Sequence, residues 1–129
     1  MPFADELEHT RAYLAVEQVQ FEDNLAVHYD ILHEGFRLPP LTLQPIVENA
    51  VKHGMDPEYA PLHITIRTRQ TDAGSEIIVE DNGPGFVPAD NQEPHIALAN
   101  IRERLQLQGG TLTIHPREGG GTIVKVTIP

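Results

Sequence analysis

The segment Ile77-Ile78-Val79-Glu80-Asp81-Asn82-Gly83-Pro84-Gly85-Phe86 decides the fold of this chain. Its first four residues are β-branched or strand-compatible, so they read as a strand that ends on an acid. Two glycines spaced by one residue follow. Glycine is needed where the backbone takes a positive φ or where another group must approach the backbone closely. The result is a sharp turn beside a fixed acceptor, and a carboxylate in that position can accept a hydrogen bond from an amino group such as the exocyclic amine of adenine. Taken alone, the pattern is also that of an ordinary Asp-Asn-Gly turn.

Two other segments give it meaning. Upstream lies Leu43-Gln44-Pro45-Ile46-Val47-Glu48-Asn49-Ala50-Val51-Lys52-His53-Gly54, and downstream lies Gly119-Gly120-Gly121-Thr122. In this order the three resemble the Asn box, the first glycine box and the C-terminal Gly-Thr box of the GHKL ATP-binding superfamily. LQPIVENAVKHG, EDNGPGF and NIRERL together are similar to the LytS-like sensor histidine kinases, which signal to response regulators. The resemblance runs from about Leu7 to Pro129.

Bulk composition is consistent with such a domain. A length of 129 residues suits one domain with a real core. No apolar run approaches the roughly 20 residues of a membrane span. The absence of cysteine excludes disulfides and thiolate metal sites. A net charge of −10 argues against a nucleic-acid partner, which needs a basic face. A nucleotide is different, because a few local donors and one Mg²⁺ hold it despite a negative surround.

Periodicity places the elements. Phe3, Leu7, Leu14 and Phe21 recur at helical spacing over residues 3–20, with Glu6, Glu8, Arg11 and Glu17 on other faces. Residues 25–31, 62–69, 76–81, 111–115 and 122–128 read as strands, the last two around the glycine turn 119–121. A helix carries Asn49, with Pro45 in its first turn and Gly54 at its end. Another runs from Ala97 to Gln108, after a short polar loop from Pro88 to Pro94. The fold class is α/β: a two-layer sandwich with a mixed, mostly antiparallel sheet covered on one face by helices, which the resemblance makes the Bergerat or GHKL fold. The resemblance also implies that residues 1–22 are a linker helix leading from a dimerisation domain outside this chain, and 23–129 the ATP-binding catalytic domain.

On the Asn49 helix, Leu43, Ile46, Val47, Ala50, Val51 and Gly54 share a core face, while Pro45, Asn49, Lys52 and His53 fall on a polar one. An Asn amide oxygen suits Mg²⁺. The resemblance makes Asn49 the Mg²⁺ ligand and sets Lys52 and His53 near the phosphates of ATP. It gives Asp81 the adenine amine, Gly83 and Gly85 the wrap of backbone around the base, and Thr122 the closure of the pocket. The helix beginning at Ala97, with Leu98 and Asn100, would offer its free N–H groups to phosphate. Arg102 and Arg104 are further candidates there, with pairing to acids such as Glu103 the ordinary alternative.

Two departures stand out. The family's second glycine box usually reads G-x-G-L before NIRERL, and here it reads His95-Ile96-Ala97-Leu98. Both glycines are gone, which puts phosphate affinity in doubt. Where hydrolysing relatives place a glutamate one turn before the metal-binding Asn, this chain has Pro45, which cannot act as general base. The implied role is therefore histidine-kinase catalysis: binding Mg-ATP and presenting its γ-phosphate to a histidine on a separate dimerisation and phosphoacceptor domain, with a response regulator downstream. The parent protein would be a dimeric membrane sensor with this domain in the cytoplasm. A degenerate, non-catalytic docking module is the alternative that His95 and Ala97 favour, and an anti-sigma type serine kinase is a third. The seven histidines read as scattered surface residues, with His28, His63 and His115 outward on strands.

None of those histidines sits in an H-F-x-F-N phosphoacceptor setting. Incubated alone with γ-labelled ATP, this chain should stay unlabelled. Stoichiometric label on any of its own histidines would refute the assignment.

Overall fold

The structure is a computed structural model that describes residues 1–55, 61–84 and 92–129, with the backbone alone for 92–97. Its elements in order are α1 (Phe3–Phe21), a 3₁₀ turn (Glu22–Asn24), β1 (Leu25–Ile31), α2 (Leu43–Gly54), β2 (Leu62–Thr71), β3 (Gly74–Asp81), α3 (Gln92–Gln106), β4 (Thr111–Pro116) and β5 (Thr122–Ile128). The strands form one sheet in the order β1-β2-β3-β5-β4. β1 pairs parallel with β2 through the α2 crossover, and the other three pairings are antiparallel. The mixed sheet expected from the sequence is therefore present.

Alternation along the strands sorts the two faces. Leu62, Ile64 and Ile66 of β2, Ile77 and Val79 of β3, and Val124 and Val126 of β5 are buried against the helices. The helices meet them with Phe3, Leu7 and Leu14 of α1, Leu43, Ile46, Val47 and Val51 of α2, and Leu98, Ile101 and Leu105 of α3. Ala50, expected on the core face of α2, is only partly buried at its margin.

The opposite face carries ion pairs in place of apolar packing. Glu80 accepts from Arg67 at 2.8 Å and Arg117 at 2.7 Å, and Glu76 from Arg69 at 2.7 Å, with Lys125 at 3.3 Å. The Arg117 hydrogen bond is the main reason that the Glu80 carboxyl titrates below its ordinary range. Burial pushes Glu76 upward, but Arg69 and Lys125 outweigh it and leave this carboxyl low as well.

Glu6 was expected on a polar face of α1, yet it is 2% exposed. Its Oε2 accepts the backbone N–H groups of Leu43 at 2.8 Å and Gln44 at 3.1 Å. These are among the orphan donors at the start of α2. Thr42, the residue before α2, makes no side-chain cap; its hydroxyl donates instead to the Pro39 carbonyl at 2.5 Å. Glu6 therefore caps α2 from another helix, with its negative charge at the positive end of the α2 dipole. Burial raises its pKa; the backbone donors of Gln44, Leu43 and Thr42, and the charge of Arg104, oppose that rise.

The N-terminal strand-like residues complete the bracing. Phe3 N–H donates to Phe36 O at 2.9 Å, Leu38 N–H to Met1 O at 2.9 Å, and the rings of Phe3 and Phe36 stack at 4.7 Å. Arg104 of α3 donates to the carbonyls of Pro40 and Leu41, both at 2.7 Å. This grip holds Leu41 at φ 58°, a left-handed conformation that a leucine does not adopt readily.

Glu6→Ala should destabilise the chain by about 1–2 kcal/mol, the usual cost of a lost cap. Glu6→Gln keeps an acceptor oxygen without a charge to desolvate. The folded pKa of Glu6 is raised above the unfolded value, so its stabilising contribution is full below the unfolded pKa and is lost as pH rises through the folded one. In chemical denaturation, Glu6→Gln should therefore gain on the parent as pH rises from about 4 toward neutral. A constant difference across that range would show that the carboxyl carries no such penalty.

Candidate nucleotide site

Asp81 ends β3 and is 9% exposed. Its Oδ1 accepts the N–H of Gly83 at 2.9 Å, and the backbone N–H of Thr122 also donates to the carboxylate. Desolvation by burial is the largest influence on its titration and raises it, against these donors and the charge of Arg117. A buried carboxylate held by two backbone donors is a rigid acceptor, and its orientation is set before any ligand arrives.

Three glycines let the backbone close around this acid. A Cβ on Gly83 would lie 2.9 Å from Gly54 Cα, so the turn after β3 rests on the last residue of α2. A Cβ on Gly54 would in turn meet Leu62 Cδ1 at 2.8 Å. Gly121 has φ 111°, and a Cβ there would run into the Asp81 carbonyl. Thr122, the register partner of Asp81 in the β3–β5 ladder, is 5% exposed. The structure thus brings Asp81, Gly83, Gly54, Gly121 and Thr122 together. In the sequence Gly54 ends the Asn-box helix and Gly121 belongs to the C-terminal glycine turn; the structure adds that both close on the Asp81 turn.

On α2, Asn49 and His53 are half-buried and Lys52 is exposed. Lys52 lines a groove of about 520 Å³ between α1 and α2, together with Tyr13, Glu17 and Glu48. The Glu48 carboxylate accepts from Gln44 Nε2 at 2.9 Å one turn earlier. Asn49, five residues before Gly54, stands on the helix whose end the Asp81 turn touches.

The phosphate end differs from expectation. Gly85, and the loop before α3 as far as residue 91, lie outside the described residues. The helix begins at Gln92, not at Ala97. The physical reason is legible afterwards: His95-Ile96-Ala97-Leu98 contains no glycine to break the helix, and Pro94 falls in the first turn, where its missing N–H costs nothing. Ala97 is the sixth residue of α3, so its N–H belongs to the intrahelical ladder and is not free for an anion. Leu98 is buried in the core and Asn100 is exposed. Arg102 donates to the Leu112 carbonyl at 3.0 Å, and Arg104 to Pro40 and Leu41. Both arginines therefore tie α3 to its neighbours.

Residues 39–129 match the family model described as "Histidine kinase-, DNA gyrase B-, and HSP90-like ATPase". The chain is 35% identical to an "Uncharacterized sensor-like histidine kinase" of Staphylococcus epidermidis, over 98% of its own length and 28% of that protein. It is 34% identical to the "Sensor protein LytS" of Oceanobacillus iheyensis, over 100% of its own length and 25% of that protein. It thus spans about a quarter of the length of these curated relatives. The solved catalytic domain of histidine kinase ThkA superposes with a TM-score of 0.78 at 15% identity, covering 100% of this chain and 93% of that one, a likeness of fold.

Gly120 and Gly121 test the closure around Asp81. Both have φ near +110°, but nothing lies within 4 Å of a Cβ on Gly120. Gly120→Ala should cost only the backbone strain of about 1–2 kcal/mol. Gly121→Ala adds a backbone collision and should lower the melting temperature clearly more. Equal losses would mean that the close approach is unimportant.

Proposed function

The chain belongs to the histidine kinase-, DNA gyrase B- and HSP90-like ATPase family, and on that premise we propose that it is the ATP-binding catalytic domain of a two-component sensor histidine kinase. The observation that carries the reading is the buried Asp81 carboxylate, fixed by the Gly83 and Thr122 N–H groups at the end of a central strand. It is a preset acceptor for the amino group of adenine. Gly83 leaves the backbone bare beside the base and Thr122 closes the pocket wall, while Gly85 keeps the role that the sequence resemblance gives it.

In this proposal Asn49 provides the oxygen for Mg²⁺, with Lys52 and His53 beside the phosphates. Mg²⁺ when bound neutralises charge on the transferring phosphoryl group. A half-buried Asn on α2 fits that role, since an amide oxygen is a hard neutral donor on a rigid element. The protein's own contribution is positioning, because phosphoryl transfer asks little covalent chemistry of it. Water attack is disfavoured, since Pro45 stands where a base would be. The phosphoryl group is thereby saved for a histidine on a dimerisation and phosphoacceptor domain of the parent kinase, and then for a response regulator. We place residues 1–22 as the entry helix from that domain, 23–129 as the catalytic domain, and the whole in the cytoplasmic part of a membrane sensor. Among the described residues no helix is long and apolar enough to cross a membrane.

The helical course of α3 through Ala97 withdraws N–H groups from phosphate, but the docking-module alternative is not favoured, since the relatives that the chain matches are sensor histidine kinases. The intact Asp81 turn opposes it. An α-helix gives the N–H groups of its first turn, here those of Gln92, Glu93 and His95, no partner within the helix, and these, with Asn100, are the α3 groups that phosphate would meet.

Calorimetric titration with a non-hydrolysable ATP analogue separates the readings. Asn49→Ala should remove the Mg²⁺-dependent part of the affinity, and Asp81→Ala the preference for adenine over guanine. Asp81 has a raised pKa, so the parent's affinity should begin to fall at a higher pH than an ordinary carboxylate, near 4, would allow. The fall should be absent in Asp81→Ala. No measurable binding in the parent, with or without Mg²⁺, would favour the docking module.

A further inference from the structure

His28 on β1 and His63 on β2 share the uncovered face of the sheet. The parallel register sets Ala26 against His63 and His28 against Thr65, so the two imidazoles are diagonal neighbours. Both are exposed. His28 Nε2 and His63 Nδ1 are 3.0 Å apart in a hydrogen bond, with ring planes 2° from parallel. One neutral ring donates its single N–H to the lone pair of the other. Exposed imidazoles have water for a partner, so nothing about burial compels this pairing. The backbone holds it in place. His63 N–H donates to Asn82 Oδ1 at 2.6 Å, Asn82 N–H returns to His63 O at 3.3 Å, and Asn82 Nδ2 donates to Pro61 O at 3.3 Å. The start of β2 is thus clamped to the residue that follows Asp81.

We propose that His28 and His63 form a two-imidazole site for a divalent first-row transition ion, copper(II) ahead of nickel(II) and zinc(II). With metal–nitrogen bonds of about 2.0–2.1 Å, adjacent nitrogens of a tetragonal ion lie about 2.9 Å apart and those of a tetrahedral ion about 3.3 Å. The observed 3.0 Å brings both nitrogens within reach of either geometry after a small tilt of the rings. Affinity sets the order, and copper(II) has the highest of the divalent series. Among the described residues no cluster of three His, Cys, Asp or Glu exists, so the proposal rests on the two imidazoles alone. Binding needs no net proton release. The donor ring moves its proton to its other nitrogen through solvent, leaving His28 protonated at Nδ1 and His63 at Nε2. Each exposed ring then tilts so that both lone pairs aim at one ion. The site owes nothing to the nucleotide reading, and it stands or falls separately.

The test is titration of the metal-stripped chain with copper(II) alone, followed by calorimetry and electron paramagnetic resonance. One tight equivalent should bind, with hyperfine splitting from two imidazole nitrogens. His28→Ala and His63→Ala should each weaken it roughly 100-fold, the effective-concentration advantage of a second ligand on the same scaffold. His115→Ala removes another exposed histidine of this face, whose Nε2 lies 2.9 Å from Thr113 Oγ1, and it should change nothing. The two active variants lie on different strands and remove exposed side chains, so each reads the site independently. Unchanged copper affinity in either one, or one-nitrogen splitting in the parent, would overturn the proposal.

Discussion

The carboxylate of Glu6 is the joint on which the helical layer turns. An α-helix leaves its first N–H groups without partners, and those of α2 are buried where water cannot serve them. Glu6 reaches from α1 to take two of them, and in doing so it fixes the two helices against each other at one end. Neighbouring contacts lean on the same place. Arg104 brings α3 to the segment leading into α2, and Phe3 stacks on Phe36 beside it. The cost is a charge taken out of solvent, reflected in the upward shift of its pKa. That cost is tolerable because backbone donors and a helix dipole face the carboxylate.

Fixing the start of α2 also fixes its end, since a helix of twelve residues is a stiff rod. At that end Gly54 touches Gly83, and the turn carrying Asp81 is seated. On the other side Gly121 lets β5 begin flush against the Asp81 carbonyl, with the Thr122 N–H on its carboxylate. The proposed adenine end is thus built from rigid parts, a helix terminus, a strand terminus and a glycine turn, with no room for an added carbon at Gly54, Gly83 or Gly121. α3, to which the phosphate role is proposed, has no glycine between His95 and Leu98 and runs as a regular helix from Gln92.

Much of this was legible in the amino-acid order. Strand alternation and the apolar stripe of α2 are periodic signals produced by burial, and they placed every strand within a few residues of where it lies. Asp81, Gly83 and Thr122 could be singled out because a turn beside an acid, and a threonine after a glycine run, are local patterns. α3 begins at Gln92, five residues before the Ala97 start that the family motif implies, because His95-Ile96-Ala97-Leu98 has no residue that interrupts a helix.

What the sequence by itself determined was which residues face inward and which segments bend, because these depend on spacing along the chain. Only the tertiary structure decided the partners. That Glu6 caps a helix beginning at Leu43, that Gly54 meets Gly83, that Arg104 holds Leu41, and that His28 comes within 3.0 Å of His63 are all contacts across long stretches of chain. No local pattern encodes them. Each arises because packing one sheet against three helices leaves a single arrangement in which the buried donors, acceptors and van der Waals surfaces are met at once.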